Sequence, residues 1–211
     1  MRRSRRRKGG RSTPWPREQS RTLVHTWRSQ LDAVLIGAGT ALTDNPSLTV
    51  RHTSGRHPYR VVLDRTGQLP TSLNLFTDDF VDKTIAVVRK GVEPAYAESL
   101  IDAGGSCLQV NEPDGHLDLV EILDLLGQAD ENRRAFQSIL VEAGPGLATT
   151  FIQQDLVDHF NLFIAPKLIG SGKPTLYDLS IKKMTNAHTF AEAQWQQVGE
   201  DMLFQGYRRK F

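Results

Sequence analysis

The sequence predicts an α/β domain with a largely parallel sheet and an antiparallel edge, and three observations predict it. Short apolar runs of strand length alternate with segments of helical periodicity. Glycines punctuate the passage from strand to helix, above all in LIGAGT and VEAGPGL. The chain then ends in a different style. AQWQQVGEDMLFQGYRRKF holds two half-buried runs around Gly199-Glu200-Asp201, the pattern of an antiparallel hairpin.

Taken in order, Pro14, Trp15 and Pro16 form an extended entry. REQSRTLVHTWRSQ follows, with Leu23, Val24, Trp27 and Leu31 near helical spacing, so an amphipathic helix is expected. DAVLIG is a buried strand, YRVVLD (59–64) a second, rich in β-branched residues, and TIAVV (84–88) a third. PAYAESLIDAGG has Pro94 in its first turn and Gly104-Gly105 at its end, the asymmetry of a helix. SCLQV returns as a strand. HLDLVEILDLLG carries apolar residues at 119, 122, 123 and 126 with Gly127 as its cap. SILVEAG (138–144) is a strand, GLATTFIQQDLV a helix and HFNLFIAPKLIG one long strand. Helices are expected on both faces of the sheet.

The 211 residues suffice for one domain that buries a core without disulfides. The one cysteine, Cys107, allows no intrachain disulfide and suits a reducing cytoplasmic compartment. No apolar run reaches the eighteen residues of a membrane span. The formal charge of +2 is set by residues 1–11, MRRSRRRKGGR, which hold seven of the 26 basic residues; the remainder carries 19 basic against 24 acidic side chains. The basic run reads as a disordered tail ahead of a domain over 12–211. It holds no aromatic residue to stack on bases, so nucleic acid is not an expected partner.

Ligands of open α/β sheets sit beyond the carboxyl ends of the strands. Two such ends stand out. In DAVLIGAGTALTDNPSLTVR a strand runs into Gly37 and Gly39, then Thr40, Asp44, Leu48 and Arg51. In VEAGPGLATT the turn Gly144-Pro145-Gly146 leads into a helix through Leu147, Ala148, Thr149 and Thr150. Glycine lets a ligand approach the backbone, and free amides at a helix start attract an anion. The two threonine hydroxyls would add donors to such a phosphate cradle. Glu142, at the end of its strand, either binds a polar ligand group or caps a neighbouring backbone, because a carboxylate there must be hydrogen-bonded. Arg51 is a phosphate ligand or a surface cation; Asp44 can make an Asx-turn and Thr40 a cap. His25 reads as a satisfied structural histidine. Zinc-deaminase, HExxH, GxSxG and P-loop patterns are all absent, so no metal and no side-chain nucleophile is expected.

The segments DAVLIGAGTALTDNPSLTVR, PYRVVLD and ILVEAGPGLATTFIQQDLVDHFNLFIAPKLIGSGKP resemble the reductase domain of bacterial riboflavin biosynthesis deaminase-reductases. The spacing G-x-G-T-x-L-x-D-x-P-x-L-T-V-R together with V-E-A-G-P-x-L carries the resemblance. It implies a dihydrofolate-reductase-like fold, usually homodimeric. It also implies NADPH-dependent reduction of the ribosyl group of 5-amino-6-(5-phosphoribosylamino)uracil. By motif, Trp15, Thr40, Asp44 and the loop Gly144–Thr150 would contact the cofactor. Thr13, Leu48, Arg51 and Glu142 would contact the substrate, with Arg51 on its phosphate. Arg65, just after VVLD, is a candidate for the cofactor's 2′-phosphate. Two departures are visible: no deaminase half accompanies the resemblance, and the family's opening strand, K-x-x-x-S-x-D-G, is replaced by MRRSRRRKGG. Either the chain is truncated or mis-started, or the domain closes its sheet differently. Two rival readings remain: a reductase of a related pyrimidine or pterin, and a silent nucleotide-binding or dimerisation domain.

Overall fold

A computed structural model of the chain describes residues 18–131 and 133–208. Its centre is a parallel sheet of β1 (Ala33–Gly37), β2 (Tyr59–Leu63), β3 (Thr84–Arg89), β4 (Ser106–Val110) and β5 (Ile139–Val141). The strand order is β4-β3-β2-β1-β5. The chain thus builds outward from β1 and then returns to β1's other side, which makes the β1/β5 junction the topological switch point. β1 pairs Ala33 with both Tyr59 and Ile139, and Ala33, Val34, Leu35 and Ile36 are completely buried. A strand covered on both faces must be apolar throughout, and AVLIG meets that demand.

Alternation then sorts the strand residues into two layers. Ala33, Leu35, Val61, Leu63, Ile85 and Val87 share one core with α5 (Leu119–Leu126) and Phe151 of α6 (Pro145–Gln153). Val34, Ile36, Val62 and Ala86 share the other with α2 (Ala38–Asp44), α3 (Asn74–Thr77) and α4 (Pro94–Asp102). Helices cover both faces, as expected. Each large aliphatic side chain in these layers stabilises the fold by about 1.5–3 kcal/mol. Buried polar hubs fix the loops. Arg60, on β2, donates to the carbonyls of Ser47, Leu75 and Phe80 and to Asp78 and Thr84. Asp32, below β1, accepts from the Gln137 amide, Arg56 and Arg134. Burial would raise Asp32, but those donors together hold it below the usual carboxylate range.

The antiparallel strands do not form an edge of this sheet. β6 (His159–Ile164), β7 (Ala191–Val198) and β8 (Asp201–Tyr207) make a separate three-stranded sheet in the order β6-β8-β7. Among the described residues β5 pairs only with β1, and β6 only with β8, so no strand joins the two sheets. The segment that takes the place of the family's opening strand lies outside the described residues. The hairpin itself is as expected, with Gly199 at φ 64° in a two-residue turn. One face of the small sheet turns inward: Leu203 is fully buried and Phe163 meets Trp27 at a 5.7 Å ring distance. The other presents Leu162, Ile164, Trp195, Met202 and Phe204, with Ile164, Trp195 and Met202 exposed at 43%, 59% and 40%.

Three further expectations change. The segment expected as a strand over 159–170 is extended only to Ile164, and Leu168 and Ile169 stand in solvent. The glycine turn after β1 is helix α2, because only Asn45 (φ 40°) leaves the right-handed region at its end. Helix α1 (Glu18–Gln30) forms, but its buried residues are Ser20, His25 and Arg28, whereas Leu23, Val24 and Trp27 are half-buried. These polar side chains are buried with partners: Ser20 Oγ donates to Asp201, His25 accepts the Arg51 amide and Arg28 binds Glu142.

Candidate active site

Both glycine-bearing turns end at the switch point and meet there. A side-chain carbon added to Gly37 would stand 3.7 Å from Leu147 Cδ2. The Glu142 amide donates to Leu35 O at 2.9 Å, continuing the β1/β5 ladder into the loop. Beyond these ends opens a cavity of about 580 Å³. Leu63, Leu117, Leu119 and Leu147 supply apolar wall; Arg65, His116, Thr149, Gln153, Tyr177 and Asp178 supply polar groups.

Helix α6 enters this cavity without a side-chain cap. Gly144 is its N-cap with an extended backbone, Pro145 opens it, and the first-turn amides of Gly146 and Leu147 have no carbonyl behind them. A side-chain carbon on Gly144 would meet nothing within 4 Å. Uncapped amides, a helix dipole and open space in front are what a pyrophosphate requires. The threonines play a different part from the one expected of them. Pro145 starts the helix, so Thr149 and Thr150 fall in its second turn. Thr150 Oγ1 donates back to Gly146 O, and Thr149 Oγ1 accepts from the Tyr177 amide at 2.8 Å. Thr149 thereby ties the 165–188 segment to the cavity, and Ala148 bonds back to Gly144 O.

A second, polar cluster adjoins the first through Glu142. Arg28 of α1 clamps this carboxylate with two 2.7 Å bonds, from Nε and from Nη2, and reaches Thr49 O with its third nitrogen. One turn earlier His25 Nδ1 accepts the Arg51 amide at 3.1 Å, and the His52 ring stands edge-on to it at 4.7 Å. Burial, then the nearby Arg28, His52 and Arg51, push His25 down to about 4. It is neutral at physiological pH, as an acceptor must be. The Arg51 side chain is exposed, and its backbone amide is what bonds to this cluster.

The remaining sequence candidates are placed as follows. Thr40 and Asp44 lie on α2, half-buried and exposed, and neither lines the cavity. The neighbouring Asn45 makes a long-range bond, its Oδ1 accepting from the Asn74 amide, which is not the local Asx-turn considered for Asp44. Leu48 has φ 53° and is 2% exposed, backbone included, packed in the second core layer rather than lining the cavity. Arg65 lines the cavity. Thr13 and Trp15 lie outside the described residues. The sequence reading missed Arg28, whose signal was a charged residue on the inner face of an amphipathic helix. It also missed His116, Gln153 and Tyr177, which reach the cavity from separate elements and share no local pattern.

A sequence model of the RibD C-terminal domain matches residues 4–204. The chain belongs to the RibD C-terminal domain family. Within that family it is 34% identical over 190 residues to the riboflavin biosynthesis protein PYRR, chloroplastic, of Arabidopsis thaliana, covering 89% of this chain and 30% of that protein. It is 28% identical over 160 residues to the 2,5-diamino-6-ribosylamino-4(3H)-pyrimidinone 5′-phosphate reductase of Aquifex aeolicus, covering 75% of this chain and 68% of that protein. Among solved structures, RibD of Acinetobacter baumannii superimposes with a TM-score of 0.75 at 23% identity, over 90% of this chain and 50% of its own. The chain spans half or less of the first curated RibD and PYRR relatives it matches. The RibD C-terminal domain fold is thus the frame of the crevice described above. Among the described residues no helix is long and apolar enough to cross a membrane.

Proposed function

We propose that this chain reduces the ribosyl group of 5-amino-6-(5-phosphoribosylamino)uracil to the ribityl chain, with NADPH as reductant, in riboflavin biosynthesis. The observation that carries this reading is the run 142–147. Glu142, held by Arg28, opens it, and the uncapped start of α6 closes it. A sugar-phosphate cluster and a pyrophosphate cradle are therefore a few residues apart on one loop. The name of the Aquifex relative, a reductase of a phosphorylated ribosylaminopyrimidinone, supports the substrate class.

The residues divide the work. Gly146 and Leu147 amides would hold the cofactor's pyrophosphate, and the cavity's leucines would keep water from the rest of it. Arg51, exposed beside the cluster, is free to take the substrate's phosphate, while Glu142 would accept from its hydroxyls. A bound NADPH supplies the hydride. The chain's share is orientation and a dry surround, which is why no nucleophile or metal motif is needed. The single half-buried Cys107 suits a reducing cytosol. The exposed apolar face of the small sheet supports assembly as a homodimer.

The decisive measurement is NADPH absorbance in the presence of the phosphorylated pyrimidine. Oxidation is expected, and Arg51→Ala should raise the KM for the substrate by about tenfold or more while leaving that for NADPH within about twofold. Equal effects on both would remove Arg51 from the phosphate. A second reading, a silent nucleotide-binding domain, draws on the two sheets having no joining strand among the described residues. Cofactor binding with no oxidation would favour it.

A further inference from the structure

The loop that carries Arg51 has no regular structure of its own, and side chains supply the anchors it lacks. Residues 45–51 belong to no helix or strand, yet Thr49 and Val50 are only 6% and 8% exposed. Buried amides need acceptors, and a chain outside a ladder must find them in side chains or water. Here two histidines provide them. The Arg51 amide donates to His25 Nδ1 and the Val50 amide to His57 Nδ1, each at 3.1 Å. Arg28 Nη1 donates to Thr49 O at 3.3 Å, so three consecutive residues are gripped. Leu48 enters this run at φ 53°, a left-handed conformation that persists only where the surroundings hold it.

Both histidines are themselves fixed. His25 is buried on α1, with the His52 ring edge-on to it. His57 packs on the Phe80 ring at 4.2 Å, and its carbonyl accepts from Lys83 Nζ at 3.2 Å. Between them the loop lies close against the end of α1. A side-chain carbon on Gly55, at φ 147°, would stand 2.6 Å from Ser29 Cβ. Arg56 Nη2 donates to Gln30 O at 3.2 Å and to Asp32 Oδ1 at 2.9 Å. A neutral imidazole accepts through one nitrogen, and the burial and nearby cations that keep His25 neutral preserve that role. The Arg51 side chain is exposed, so its backbone is where the fold can aim it.

We infer that His25 and His57 are positioning residues: by accepting the adjacent amides of Arg51 and Val50 they aim the Arg51 guanidinium at the substrate's phosphate. This rests on the reading of Arg51 given above. Isothermal titration of the full chain with ribose 5-phosphate and with ribose tests it without any turnover. The phosphate ester should bind about tenfold or more tightly than the free sugar. His25→Leu and His57→Leu should each cut that preference about fivefold, the effect of one lost hydrogen bond. His25→Gln keeps an acceptor and should hold the preference within about twofold. In an Arg51→Ala background, His25→Leu should change binding by less than about twofold, because the histidine acts through the arginine. Circular dichroism checks the fold of each variant. Should His25→Leu fail to fold, His57→Leu, at a half-buried position, and its double variant with Arg51→Ala carry the same test. Leucine variants that keep the full preference, or a loss that persists without Arg51, overturn the inference while the reading of Arg51 stands. An unaltered chain that binds both probes equally, or neither, overturns both.

Discussion

Arg28 and Glu142 are 114 positions apart and form the most constrained pair in the site, two 2.7 Å bonds between side chains only 10% and 26% exposed. Removing one partner of such a pair leaves the other buried without its counterpart. Arg28→Ala should therefore lower unfolding free energy by about 2–3 kcal/mol, read from urea titration, and Arg28→Lys should restore only part, since an ammonium cannot fill both carboxylate oxygens from one plane. His25 makes a pH prediction. Its folded pKa lies below the unfolded value, so the unfolded chain binds the proton first. Its contribution is complete above pH 6.5 and is lost as pH falls from there towards about 4. His25→Gln keeps an acceptor for the Arg51 amide without titrating, so its Tm should decline less across that window than the unaltered chain's. Parallel declines would show that His25 does not carry the effect. Both residues were within reach of sequence reading. The sequence marks His25 as structural, and its bond to the Arg51 amide supports that; Arg28 carries no such mark, because a lone arginine on a helix looks like a solvated charge.

At the scale of elements, α6 separates folding demands from ligand demands. Gly144 has an ordinary extended backbone (φ −71°, ψ 172°), and the space before it is open. Gly144→Val should leave Tm nearly unchanged and weaken dinucleotide binding roughly tenfold, because the new methyls would occupy the place of the pyrophosphate. A large loss of stability, or unchanged binding, would show that the glycine serves the fold alone. Periodicity located most of the elements within a few residues, since the layers of a covered parallel sheet demand uninterrupted apolar runs and amphipathic helices between them. It failed where tertiary contacts decide. Helix α2 follows β1 with no polar cap to announce it, and β6 ends at Ile164, opposite Met202, where β8 is one residue from its turn.

The whole molecule has one feature that its parts do not explain, the apolar outer face of the β6-β8-β7 sheet. Trp195 packs on Phe204 at 4.9 Å, and Phe204 on Phe190 at 5.3 Å, yet Trp195, Ile164 and Met202 remain open to water. A contiguous patch of this kind on a domain of this size marks an interface, and a second copy of the chain is the partner proposed for it. Light scattering should show a dimer, and Trp195→Glu with Met202→Lys should shift it to monomer without loss of helix signal. A monomer at micromolar concentration in the unaltered chain would remove the proposal.

The sequence by itself determined the α/β class, the order of the strands and of the longer helices, the terminal hairpin and the glycine-rich ends of β1 and β5. These follow from local chemistry: apolar periodicity, helix ends and the conformational freedom of glycine. Only the tertiary structure decided that, among the described residues, the small sheet pairs with no strand of the parallel one, that Arg28 meets Glu142, and that Asp64 turns inward while Arg65 lines the cavity. Those outcomes depend on which distant segments pack together, and no pattern within a few residues of any one of them encodes its partner.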